Sequence, residues 1–155
     1  MSEDSASRLV ENRNFTPADL LIMARALAQL GAQNTEAYVS QAADAASRDA
    51  AFFQRRRADV LAQRSADFGG LVAFVTVAGQ AVNVARDGRI VALFPFDELA
   101  WTELPQRTFR AANAELHRNS PGRTAVFATT GQVTPVAAAE IKRLGWKLVQ
   151  LRPQR

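Results

Sequence analysis

At Gly69-Gly70 the spacing of apolar residues changes character, and this switch limits what the chain can fold into. Ahead of it, Leu20, Met23, Ala24, Leu27 and Leu30 recur at the spacing of one helix face. Behind it, Leu71 to Val77 is an almost unbroken apolar run rich in valine, which reads as a strand buried on both faces. The chain therefore divides into a helical part over 15–65 and a sheet-containing part over 69–155, expected to form one α/β domain. Residues 1–14 carry charges without apolar periodicity and are expected to be a flexible tail.

Local punctuation sharpens these limits. Thr16 is a natural N-cap, Pro17 suits a first helical position, Asp19 places negative charge at the helix start, and Gly31 supplies a stop. A second, alanine-rich helix is expected over 35–63, with a break near Ser47 to Asp49 because of its length. After the first strand, Gly79-Gln80 and Asp87-Gly88 are turn signals, so strands over 71–77, 81–85 and 89–94 should form a three-strand antiparallel meander. Asp97 can cap a short turn through Trp101. Thr102 then opens a helix carrying Phe109, Ala112 and Leu116.

The C-terminal segment has the plainest signature. A strand at 124–129, a helix opening at Thr134-Pro135, a stop at Gly145 and a last strand through Leu151 describe a βαβ unit with parallel strands. The fold class expected is α+β or three-layer α/β: two N-terminal helices, then the meander and the βαβ unit joined in one mixed sheet.

Composition narrows the chemistry. The absence of cysteine removes disulfides, thiolate nucleophiles and cysteine-built metal sites. No run approaches the roughly 20 apolar residues of a membrane span, and the acidic start is unlike a signal peptide, so a cytoplasmic chain is expected. The net charge of +4 comes almost wholly from arginine, with lysine only at Lys142 and Lys147. Arginine favours bidentate contact with anions, although a GC-rich, bacterial-like composition accounts for the same bias.

Four groups of residues are candidates for function. The loop Thr129-Thr130-Gly131-Gln132 with Thr134 lies between a strand end and a helix start, where anions or small ligands can bind, with Arg123 and Arg143 nearby; a plain capped turn explains the same residues. His117 can serve as a general acid or base, yet its place at a helix C-terminus accounts for it equally well. The acids Asp97, Glu98 and Glu103 surround Trp101 but read best as solvated helix-start charges. Arg48, Arg55, Arg56, Arg57 and Arg64 are interspersed with Asp44, Asp49 and Asp59, as on a solvated, salt-bridged face. The C-terminal third is more one-sided, with Arg118, Arg123, Lys142, Arg143, Lys147, Arg152 and Arg155 opposed by Glu140.

No Gly-x-Ser-x-Gly elbow, phosphate loop or dinucleotide fingerprint is present. The leading expectation is a non-enzymatic protein-interaction or regulatory module without cofactor or metal, its long alanine-rich helix seeking a protein partner or a second copy. The alternatives are a nucleic-acid binder using Arg123, Lys142, Arg143 and Lys147, and a small-ligand or anion binder, or an enzyme, using Thr130, Gly131, Gln132 and Thr134.

Overall fold

The computed structural model describes residues 3–152. The helical part begins earlier than expected. In place of a flexible tail stands helix α1 (Glu3–Glu11), which buries Leu9 and is tied through Asn12, whose Nδ2 donates to the carbonyls of Ala43 and Ala45 at 3.0 Å. Nine residues leave little room for a repeating apolar pattern, so the polar contacts that order this helix lie outside any periodicity.

Helix α2 (Pro17–Leu30) begins and ends as its residues dictate. Thr16 and Asp19 form a reciprocal capping box, and Gly31 adopts the left-handed conformation at the stop. The expected second helix is two, α3 (Thr35–Ala43) and α4 (Arg48–Arg64), with Ser47 capping the latter through Ala50 N. The alanine-rich half, α3, packs within the chain. It buries Tyr38, Val39, Ala42 and Ala43 inside the chain, packed against α1 and the sheet.

After one tight helical turn (Ser65–Phe68), strands β1 (Leu71–Val77), β2 (Gln80–Ala85) and β3 (Ile90–Phe94) form the antiparallel meander. A two-residue β4 (Glu98–Leu99) leads into helix α5 (Glu103–Asn119). Then come β5 (Ala125–Thr129), β6 (Gln132–Val133), α6 (Pro135–Arg143) and β7 (Lys147–Gln150). The main sheet has the order β1-β2-β3-β5-β7, and β3, β5 and β7 run parallel, so meander and βαβ unit share one mixed sheet. Helix α6 ends in the two bonds of a Schellman stop, Gly145 N to Lys142 O at 2.9 Å and Trp146 N to Ile141 O at 3.3 Å.

Alternation along the strands divides the interior into two cores. Val91, Leu93, Val126 and Ala128 face α1 to α4, whereas Ile90, Ala92, Phe94 and Phe127 face α5 and α6. Helices thus cover both faces. Continuous burial belongs to the interior strands β3 and β5; β1, expected to be buried on both faces, leaves Thr76 exposed because it lies at the sheet edge. That edge is partly closed by a single bridge at Gln33, whose N–H donates to Val72 O and whose carbonyl accepts from Phe74 N, both at 2.9 Å. Among the described residues no helix is long and apolar enough to cross a membrane.

Asp19 fastens α2 to α4. Its side chain is fully buried, accepts from Thr16 N at 2.8 Å, and is paired with Arg48 and with Arg55 at 3.2 Å. The hydrogen bond from Arg48, joined by those from Thr16, holds its carboxyl well below the usual carboxylate range despite burial. A group depressed in the folded state adds stability above its unfolded pKa, and this stability is lost as the pH falls toward the folded value. Asp19→Asn should therefore lower the unfolding free energy by about 2–4 kcal/mol at neutral pH. In urea titrations its deficit relative to wild type should shrink below about pH 4, the ordinary aspartate range.

Candidate functional site

The site begins with an interruption in the sheet. β2 and β3 pair at Asn83↔Val91 and Val84↔Ile90, and the same register, continued, would set Val82 against Ala92 and Ala81 against Leu93. Instead, the side chain of Arg57 on α4 occupies the gap. Its Nε donates to Leu93 O at 3.3 Å and its Nη2 to Ala81 O, so one guanidinium satisfies a carbonyl on each strand where direct pairing stops. Nη1 donates to Gln41 Oε1 at 3.4 Å, and the guanidinium carbon lies 4.1 Å from the centroid of the Phe94 ring.

Arg57 is fully buried, and among the described residues no carboxylate pairs with it. Burial lowers its pKa to about 10, which leaves it cationic at neutral pH. This corrects the reading of residues 55–57 as a uniformly solvated face. Arg55 and Arg56 do reach carboxylates, Asp19 and Asp97, at 3.2 and 3.1 Å.

Beside this gap, on the α5 face, lies a cavity of about 460 Å³. Val82, Ile90, Ala92, Phe94 and Phe127 form its floor, Phe109 and Ala112 of α5 one wall, and Phe96 and Leu99 another. Gln80, Glu98, Thr102 and Thr108 are its main polar side chains. The aromatic lining is itself packed: Phe94 stacks on Phe96 at 5.7 Å, and Phe109 meets Phe127 edge-on at 5.0 Å. Trp101 and Phe96 thus belong to the aromatic packing, with Trp101 set against Phe109 at 5.6 Å. The β1–β2 turn is held to α5 by Ala78 N, which donates to Glu115 Oε2 at 2.5 Å.

The candidate loop Thr130, Gly131, Gln132 and Thr134 is occupied by the chain's own strands. β4 and β6 form a second, two-stranded parallel sheet in which Gln132 N donates to Asp97 O at 2.9 Å and Thr134 N to Leu99 O at 3.0 Å. Thr134 Oγ1 caps α6 through Ala137 N. The amides of Gln132 and Thr134 are thus paired with carbonyls, and Gly131 N meets Thr129 Oγ1 at 3.5 Å. Gly131 is required for close approach, since a Cβ there would lie 2.0 Å from Phe96 O.

Arg123, Lys142, Arg143 and Lys147 are all exposed. Arg123 precedes β5, Lys142 and Arg143 end α6, and Lys147 begins β7, which places the four at the N-terminal end of the parallel strands. Arg143 is paired with Glu140 at 3.2 Å. Arg155 lies outside the described residues. His117 is exposed in the last turn of α5, Asp97 is paired with Arg56, and Glu103 reaches Arg107 at 4.0 Å. These groups are not brought together with His117 into a catalytic cluster. Among the described residues no three metal-ligating side chains converge.

No family model and no curated protein sequence matches the chain. Among solved structures it is similar to EndoMS in apo form, at 17% identity over 48% of this chain and 32% of that one. The TM-score of 0.36 is too low for this likeness to bear on fold or function.

Gly131→Ala should force the β4 segment away from the loop and destabilise the protein by about 3 kcal/mol, measured by chemical denaturation. An unchanged midpoint would mean that the approach of Phe96 O to this glycine is not maintained in solution.

Proposed function

We propose that the chain is a non-catalytic binding module whose ligand is a compact, largely apolar molecule held between the sheet and α5. The observation that carries this reading is the cavity itself: about 460 Å³, floored by five apolar side chains from three strands and bordered by few polar groups. That size and lining are typical of small-molecule sites. Its ring contacts supply the wall, and its exposed carboxylate, Glu98, has no neighbouring acid–base partner among the lining residues. The protein-interaction reading drew on the alanine-rich face of α3, which packs against α1 and the sheet.

Trp146 lines the cavity, so occupancy can be followed by tryptophan fluorescence or by the neutral dye N-phenyl-1-naphthylamine. The dye should bind saturably and raise the melting temperature, as any ligand of the native state must. Ala112→Leu, which fills the cavity from α5, should weaken binding by about tenfold or more, with little loss of stability. Dye binding that is unaffected by this substitution would place the site elsewhere.

A second reading, nucleic-acid contact, is supported by the four exposed cations gathered at the other end of the parallel strands. Binding there should weaken with salt, by about 0.9 logarithmic units per tenfold salt for each phosphate contacted. Reversing charge at Lys142 and Arg143 to Glu should abolish retention of duplex DNA at low salt in a filter assay. Retention equal to wild type would remove this reading.

A further inference from the structure

The guanidinium of Arg57 is an unusual neighbour for an apolar cavity. Burying a cation is costly unless charge or hydrogen bonds compensate it, and here all three acceptors are neutral: two backbone carbonyls and one amide oxygen at 3.4 Å. An arginine carries five N–H donors, so its hydrogen-bonding capacity exceeds these acceptors. The charge lies close behind the cavity wall. Phe94 and Gln80 line the cavity; the Phe94 ring lies against the guanidinium, and Ala81, whose carbonyl Arg57 holds, directly follows Gln80.

The polar route from cavity to cation is a two-residue relay. Gln41 Nε2 donates to Gln80 Oε1 at 2.6 Å, while Gln41 Oε1 accepts from Ala81 N at 2.7 Å and from Arg57 Nη1 at the long distance of 3.4 Å. Gln80 and Gln41 are both only partly buried. An amide side chain at this position occupies the space that a carboxylate would take, without supplying its charge.

Resting on the apolar-ligand reading, we propose that the ligand is an amphiphilic carboxylate. Its apolar body fills the cavity, and its head displaces the Gln80–Gln41 contact to pair with Arg57. A planar carboxylate matches the guanidinium fork and supplies a counter-charge, which none of the described residues pairs with Arg57.

The test compares decanoate with decanol, each competing with N-phenyl-1-naphthylamine at neutral pH. Wild-type protein should bind decanoate about 10- to 100-fold more tightly than decanol, the range expected of a charged hydrogen-bonded pair. Gln80→Glu, which places a carboxylate on the relay, should erase this preference by weakening decanoate far more than decanol. Arg57→Met should bring decanoate down to the level of decanol; should that variant not fold, Gln80→Glu decides alone. Equal binding of the two compounds by wild type, or a preference that survives in Gln80→Glu, overturns the proposal while leaving the apolar-ligand reading intact. Failure of the dye, decanoate and decanol alike to bind would overturn both.

Discussion

A sheet cannot open in its interior without leaving carbonyls and amides unpaired, and such groups are expensive to bury. In this fold β2 parts from β3 beyond Asn83 and Val91, and Arg57 answers for the carbonyls of Ala81 and Leu93. One side chain from α4 therefore allows the strands to separate while still linking them. The cavity on the α5 face follows, because its floor is drawn from both sides of that separation, Val82 on β2 and Ala92 and Phe94 on β3. Helix, sheet opening and cavity form a single arrangement centred on one buried charge.

The two ends of the parallel strands have contrasting chemistry. Where β3 ends, the β4–β6 pair, Phe96 and the start of α5 surround an apolar space with a cation behind it. Where β5 and β7 begin, Arg123, Lys142, Arg143 and Lys147 stand in solvent. In the first setting low polarity strengthens a charge interaction, and in the second water and salt weaken it. An anion with an apolar body and a polyanion would therefore favour different ends.

Much of the fold was legible because it is written in local chemistry. Thr16, Pro17 and Gly31 bound α2, the interruption before α4 occurs at Ser47, and Gly145 with Trp146 ends α6 as its composition implies. The mixed sheet followed from the turn signals and from the spacing of the final βαβ unit. The site was not legible in the same way. Arg57 stood among acids and arginines that mostly do face solvent, and only its position, four residues from both Phe53 and Leu61, hints at an inward face. The departure of β2 from β3 has no local sequence signal, since strands 81–85 and 89–94 look able to pair throughout. The loop at Thr130 to Thr134 looked open because β4, only two residues long, is too short for periodicity to reveal.

The bridge at Gln33 bears on how this sheet could grow. By engaging Val72 O and Phe74 N, with Asn34 Nδ2 donating to Phe74 O at 2.9 Å, it uses up part of the outer hydrogen-bonding row of β1. A strand arriving from another molecule would find that row interrupted in its middle, where continuous pairing is needed most. Sheet extension is thereby steered toward β7, whose four residues, bounded by Lys147 and Gln150, offer only a short and polar-ended template. The same backbone connection that leads from α2 into α3 thus acts as a guard against edge-to-edge aggregation.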